Sequence, residues 1–300
     1  MIQLKAPVSD SSVEFLESHF CEAGSGNWII ESIPGGRDFH LQGYFETPGQ
    51  AQASYQLLQA EVTGLPPQPQ LSELPDQDWQ EAYKHHFQPW NCGTIHWVPS
   101  WLKGTYQLPP GHKALYLDPG MAFGTGNHET TRLCLEALVQ YHSQLSPEDI
   151  PKMRVIDAGC GSGILALSAA LLGFQEIHAF DIDEDSIRIC HENSNANNLQ
   201  NQVRFAHDGI EPSIQPRSAD LILANILAPV LVDHAEILLQ GLVCHTGSTV
   251  ILSGILNQEA ENVGKAYLEA SAGLGIGLSI SRQDYGIWSG IFGQIVSLMG

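Results

Sequence analysis

The chain has 300 residues, 43% of them hydrophobic, and carries 33 Asp and Glu against 13 Lys and Arg for a formal net charge of −20. That length supports one large α/β domain with a smaller companion, and the acidic surface repels phosphate backbones, which argues against direct nucleic-acid binding and favours a basic protein as macromolecular partner. The acidity also has a plainer reading, as a device for solubility.

Residues 1–63 read as a small α+β domain. The β-like runs Asn27–Glu31 and Phe39–Phe45 are followed by a helix over Gly49–Glu61, which Pro48 introduces. In Gly64–Gln70 three prolines interrupt helix and ladder alike, so an extended connector is expected there. Asp76–Phe87 spaces Trp79, Ala82, Tyr83 and Phe87 as a helix that ends before Pro89. Residues 64–88 are thus expected to be a linker containing a helix, and 89–300 the second domain.

Within that second domain, Thr94–Val98 and Ala114–Leu117 read as strands and Thr130–Tyr141 as a helix. Beyond Pro151 strands and helices alternate: Arg154–Asp157, Ile164–Leu172, Glu176–Asp181, Glu184–Asn197, Val203–Ala206, Asp220–Ala224, Pro229–Leu239 and Thr249–Leu252. Such alternation builds a parallel sheet covered on both faces. Ser279–Asp284 and Gly290–Ser297 are β-like runs that could close the sheet.

The start, MIQLKAPVSDSSVEF, lacks the basic-then-apolar pattern of a secretory signal, and no run approaches the roughly eighteen apolar residues of a membrane span. A soluble, cytoplasmic protein is expected. Cys21, Cys92, Cys134, Cys160, Cys190 and Cys244 are scattered without a C-x-x-C pair, which fits reduced thiols rather than a disulfide framework. No H-E-x-x-H or clustered ligand spacing points to a metal.

The strongest local signal is Val155-Ile156-Asp157-Ala158-Gly159-Cys160-Gly161-Ser162-Gly163, a buried strand that runs into Gly159, Gly161 and Gly163 and then a helix. Glycine there permits positive φ and lets a ligand approach the backbone, with the helix N-terminus beneath. A dinucleotide site prefers G-x-G-x-x-G, a spacing this loop does not have. Cys160 serves as small packing in the loop, with nothing basic beside it to make a nucleophile. Asp181 closes the next strand 22 residues after Gly159, where its carboxylate can accept both hydroxyls of a ribose. Asp183 reads as the cap of the following helix. Asp208, before Gly209, reads either as an acceptor for an adenine amino group or as an ordinary turn aspartate.

Residues 118–132, DPGMAFGTGNHETTR, and 219–228, ADLILANILA, flank this loop. The glycine loop is similar to motif I of class I methyltransferases, and the three segments together resemble the methyltransferases that modify large-subunit ribosomal protein eleven. Asp78-Trp79-Gln80-Glu81 through Pro99-Ser100-Trp101 resembles the linker of that family, so the likeness spans about residues 76–255.

The resemblance implies a Rossmann-like catalytic domain with a mostly parallel seven-stranded sheet and a small N-terminal recognition domain. It implies S-adenosylmethionine as cofactor and methyl transfer to lysine and N-terminal amines of a basic ribosomal protein free of ribosomal RNA, by an enzyme expected to be a monomer. Phe123, Thr130 and Thr131 would close over the cofactor with Gly159, Gly161, Gly163, Asp181 and Asp208. Asn225, which also touches the cofactor, would orient the amine together with the Ile226 carbonyl. His128 would line the substrate channel, or accept a proton. By themselves, the Thr pair reads as a helix start and Asn225 as a strand-end turn. The same residues are compatible with a methyltransferase of another protein or of a small amine, or with a non-catalytic relative that binds the cofactor.

Overall fold

The computed structural model describes residues 2–9, 12, 13, 15, 16, 19, 20, 28–32, 39–45, 47–62, 64–73, 88–117, 128–242 and 245–298. Its contacts separate into two units, Met1–Phe87 and Gln88–Gly300.

The first unit contains β1 (Ile2–Val8), β2 (Trp28–Ser32), β3 (Phe39–Phe45), α1 (Pro48–Glu61) and β4 (Gln70–Glu73). The strands pair antiparallel in the order β2-β3-β1-β4. Helix α1 starts where Pro48 and a capping box coincide, with the Thr47 hydroxyl accepting the Gln50 N–H and the Gln50 side chain accepting the Thr47 N–H. Leu4, Leu41, Tyr55 and Leu58 form its core with Trp28. A Cβ on Gly43 would stand 2.5 Å from the Trp28 ring, so the indole occupies the space a side chain would need. Strand β4 begins at the last residue of the expected connector and lies within the expected linker 64–88, where Gln70–Glu73 pairs antiparallel with β1. The helix expected over Asp76–Phe87 lies outside the described residues.

The second unit runs β5 (Trp90–Cys92), β6 (Ile95–Pro99), β7 (Lys113–Leu117), α2 (Glu129–Ser143), β8 (Arg154–Ala158), α3 (Ile164–Leu172), β9 (Glu176–Asp181), α4 (Glu184–Ala196), β10 (Arg204–His207), α5 (Ile210–Ser213), β11 (Leu221–Asn225), α6 (Ala228–Asp233), α7 (Ala235–Gly241), β12 (Thr249–Leu256), α8 (Ala260–Gly273), β13 (Ile276–Tyr285) and β14 (Trp288–Leu298). Seven strands form one sheet in the order β10-β9-β8-β11-β12-β14-β13. The neighbours from β10 to β12 are parallel, and β14 runs antiparallel to both strands beside it. The sheet is therefore α/β and mostly parallel, as expected.

Its central strands are mostly apolar because both faces are covered. Along β11, Leu221 and Leu223 pack with α2 and α3, while Ile222 and Ala224 pack with α6, α7 and α8. On the first face lies a small sheet in the order β5-β6-β7. The Trp97 indole N–H donates to Ser168 Oγ at 2.8 Å, Trp90 stacks on Trp97 at 4.2 Å, and the Arg132 guanidinium lies 4.8 Å over Trp90. The Asn197 carboxamide accepts the Tyr116 N–H and donates to the Tyr116 carbonyl, both at 2.7 Å, and so replaces a neighbouring strand at the edge of β7.

The single helix expected over Pro229–Leu239 is interrupted at His234, whose backbone (φ −108°, ψ 12°) ends α6 before α7 begins. Its ring is held between the Val230 carbonyl and Glu211. Helix α8 was not anticipated because Gly264 and Gly273 weaken its pattern, yet it buries Ala260, Val263, Tyr267 and Ser271 at helical spacing. Among the described residues no helix is long and apolar enough to cross a membrane.

Asp220 ties together the start of β8 and the turn before β12. It accepts from the Arg154 backbone and side chain and from His245 Nε2 at 3.1 Å. Burial pushes its carboxyl up, but these donors outweigh burial and hold it below the ordinary range. The Thr246 carbonyl, and then Asp220, raise the His245 imidazole. The depressed carboxyl stabilises the fold above about pH 4 and loses that effect as pH falls through its folded value. The raised imidazole contributes fully below about pH 6.5 and loses its effect as pH rises through its folded value. Asp220→Asn is therefore expected to lower the unfolding free energy by about 2 kcal/mol near pH 6, with a smaller loss on either side, in urea titrations at a series of pH values.

Candidate active site at the glycine loop

Strand β8 ends in a bend whose three glycines all have left-handed backbones: φ is 73° at Gly159, 52° at Gly161 and 79° at Gly163. Space is as restrictive as torsion. A Cβ on Gly159 would come within 2.4 Å of Ile226 Cγ2, and one on Gly163 within 2.9 Å of Cys190 Sγ. The Gly159 and Cys160 N–H groups both donate to the Phe180 carbonyl, at 2.9 and 3.0 Å. Cys160 and Cys190 are free thiols with sulfurs 3.6 Å apart, and Cys190 donates to the Gly161 carbonyl.

Gly163, as N-cap of α3, has no side chain to bond the first free N–H groups of the helix. Asp157 does so from the strand: its Oδ2 accepts the Ala166 N–H, three positions into the helix, at 2.9 Å. The carboxyl is fully buried, and that burial pushes it up to about 7, against the pull of the Ala166 bond and with added repulsion from Asp181. This cap escaped the sequence analysis, since nothing local shows that a strand residue will bond a helix nine positions later.

Asp181 sits where the strand-end reading put it, and it is also fastened to the loop. Its Oδ2 accepts the Gly161 N–H at 2.8 Å and its Oδ1 the Asp183 N–H at 3.0 Å. Each oxygen keeps a further lone pair for a ligand. Asp183 accepts from Asp185 and Ser186 as the cap of α4. Asp208 lies at the neighbouring strand end, its N–H donating to the Asp181 carbonyl at 2.9 Å, while its own carboxylate accepts the Gly209 N–H at 3.0 Å. Between them, Ile182 leaves 80% of its surface exposed, the most open of the large apolar side chains described. The missed signal was an isoleucine between two aspartates, with no apolar stripe to claim it.

On the other side of the bend, Asn225 closes β11. Its Nδ2 donates to Thr131 Oγ1 at 3.3 Å, whereas Oδ1 is buried with no partner. Thr130 and Thr131 are fully buried in the first turn of α2. His128 caps that helix through Nδ1, which accepts the Thr130 N–H and also meets Thr130 Oγ1 at 2.8 Å. Accepting the backbone N–H requires a lone pair on Nδ1 and leaves the ring proton on Nε2. Burial lowers the His128 pKa against the opposing charge of Glu129, so the ring is neutral at physiological pH. Its ring meets Trp288 edge-on at 5.1 Å.

Strand β12 bulges between Leu252 and Ile255, and there Gly254, at φ 81°, passes so close to the Ile226 peptide that a Cβ would be 2.4 Å from its carbonyl oxygen. An isolated glycine inside the apolar run Ile251–Leu256 was the available sign of this close approach. Thr130, Thr131, Gly159, Gly161, Gly163, Asp181, Asp208, Asn225 and His128 thus gather at the carboxyl ends of the parallel strands, the side on which open α/β sheets bind ligands. Phe123 lies outside the described residues. Among those residues no cluster of three metal-ligating side chains occurs.

The comparisons with known proteins extend over most of the chain. A family model described as ribosomal protein L11 methyltransferase (PrmA) matches residues 10–290. The ribosomal protein L11 methyltransferase of Pseudomonas fluorescens (strain Pf0-1) is 34% identical over 285 residues, spanning 89% of this chain and 92% of that protein. That of Pseudomonas syringae pv. tomato is 37% identical over 232 residues, or 77% of this chain and 75% of that protein. Among solved structures, the ribosomal protein L11 methylase from Lactobacillus delbrueckii subsp. bulgaricus shares 29% identity and a TM-score of 0.59, covering 70% of this chain and 100% of that chain. The matched stretch includes both the glycine bend and the strand that ends in Asn225, and the chain belongs to the ribosomal protein L11 methyltransferase family.

Proposed function

We propose that this protein transfers methyl groups from S-adenosylmethionine to lysine and N-terminal amines of large-subunit ribosomal protein L11. One observation carries the reading at the level of chemistry: a buried carboxamide oxygen, Asn225 Oδ1, has no hydrogen-bond partner beside a loop shaped to admit a nucleoside. An unsatisfied buried acceptor is costly, and an incoming amine N–H would satisfy it.

The residues present suit the cofactor. Asp181 would accept the ribose hydroxyls, Asp208 would accept from the adenine amino group, and the exposed Ile182 would offer an apolar face to the purine. Gly159, Gly161 and Gly163 allow close approach of the backbone, and Thr130, Thr131 and Asn225 would hold the methionine end. Phe123 is assigned to that end on the resemblance alone. When bound, S-adenosylmethionine supplies a methyl group on a positively charged sulfur.

What remains for the protein is alignment and the exclusion of water. Asn225 Oδ1 and the Ile226 carbonyl accept two N–H bonds from the amine and aim its lone pair. A buried setting keeps that amine neutral, as desolvation lowers an amine's pKa. His128, whose Nδ1 is engaged in the cap of α2, would line the substrate channel in preference to acting as a base.

The formal charge of −20 favours a basic substrate and disfavours one wrapped in RNA, which supports methylation of free L11; a monomeric enzyme acting in the cytoplasm belongs to the same proposal. The unit Met1–Phe87 is assigned to recognition of that substrate.

Purified protein incubated with S-adenosylmethionine and unmodified ribosomal proteins is expected to add whole methyl increments to L11 in intact-mass spectra, with fragments placing them on lysine and N-terminal nitrogens. Label confined to another protein or to small amines would refute the substrate assignment. Asn225→Ala should reduce kcat by roughly 10²-fold while cofactor affinity holds, because it aims the acceptor nitrogen. Asp181→Ala should instead weaken S-adenosylmethionine by about 1–3 kcal/mol in calorimetry.

A further inference from the structure

Asp157 has 0% of its surface exposed, and only one of its carboxyl oxygens is bonded. Oδ2 accepts the Ala166 N–H, while Oδ1 has no partner. Capping α3 needs only an acceptor, which a carboxamide would supply as well, so the cap does not explain an ionisable group in this position.

The titratable groups acting on it are Asp181 at the end of β9, Cys134 on α2 and Cys160 in the loop. Asp181 adds repulsion. Burial raises the Cys134 thiol, and the bond to Cys190 together with burial raises that of Cys160, so both keep their protons through neutrality. No cation acts on Asp157 among the described residues. A positively charged ligand in the bend would be the missing counter-charge.

We propose that Asp157 is the buried counter-charge of a cationic cofactor and releases its proton to solvent when S-adenosylmethionine binds, so that cofactor affinity rises with pH toward neutrality. The inference rests on the placement of the cofactor in the glycine bend. The demethylated product lacks the sulfonium charge and draws out less of the proton, so exchange of product for fresh cofactor becomes pH-dependent at this one residue. In the free protein the raised carboxyl makes folding less favourable as pH climbs from the ordinary carboxylate range to about 7.

Calorimetric titration of the full chain with S-adenosylmethionine, in two buffers of different ionisation enthalpy, counts the protons released. Wild-type protein is expected to release roughly half a proton per cofactor at pH 7 and nearly one at pH 6, with affinity rising several-fold across that unit. Asp157→Asn, which keeps an acceptor for Ala166, should abolish that release, flatten the affinity profile and remove the decline in stability of the free protein toward pH 8. The variant also subtracts proton exchange from His128 and from the cofactor's own amine. Tight but pH-independent binding by the wild type would overturn the proton linkage and spare the cofactor placement, and so would an equal release from the variant. Failure of the wild type to bind at any pH would overturn both. Should the variant not fold, the infrared band of a buried protonated carboxyl in the free wild type at about pH 6 decides instead: its loss on cofactor binding is expected, and its absence from the free protein would overturn the proposal.

Discussion

Three left-handed positions at alternate residues are unfavourable for any residue but glycine, and a chain holds that shape only where neighbours enforce it. Here the enforcement comes from one strand. Phe180 gives its carbonyl to two N–H groups of the bend, and Asp181 gives its carboxylate to a third. The side chain proposed to hold a ribose is thus the one that fixes the loop beneath it. Asp157 completes the arrangement from below by bonding the helix that Gly163 cannot cap. Removing any of these contacts would disturb the shape of the bend and the setting of Asp181 together.

The second half of the site depends on close approach of backbones. Gly159 leaves room for the Ile226 side chain and Gly254 for its carbonyl, so the segment after β11 is pressed between two glycines. That compression places Asn225 at a fixed distance from α2, where Thr131 takes its donor and leaves its acceptor free. The parallel order of the sheet brings the halves together, because consecutive strands all deliver their last residue to one end. A neutral His128, edge-on to Trp288, extends the same rim without adding charge. For a displacement at a sulfonium methyl, alignment in a dry setting is the main requirement, and this geometry supplies it.

Those parts of the site that depend on local chain chemistry were legible in the sequence. Gly159, Gly161 and Gly163 declare themselves by spacing, Asp181 by closing an apolar run, and Asn225 by ending a strand in a segment with a recognisable neighbour. The sheet was legible for the same reason, since buried parallel strands are apolar on both faces. Contacts between distant residues were not. Asp157 bonding Ala166, Gly254 against Ile226 and Nδ1 of His128 committed to a helix cap all depend on tertiary placement. Strand β4 was hidden because a short, mostly polar and exposed run just past the prolines reads as linker whether or not a sheet edge awaits it. The break at His234 was hidden because the apolar pattern continues across it.

The central claim is that the glycine bend with Asp181 holds the nucleoside while the vacant acceptor of Asn225 takes the amine. A crystal structure of the protein with S-adenosylhomocysteine and a lysine-bearing L11 peptide tests it most directly. The account predicts both ribose hydroxyls on the Asp181 carboxylate and the lysine nitrogen within hydrogen-bond distance of Asn225 Oδ1. A sugar bound elsewhere, or a nitrogen that leaves that oxygen unpaired, would contradict it.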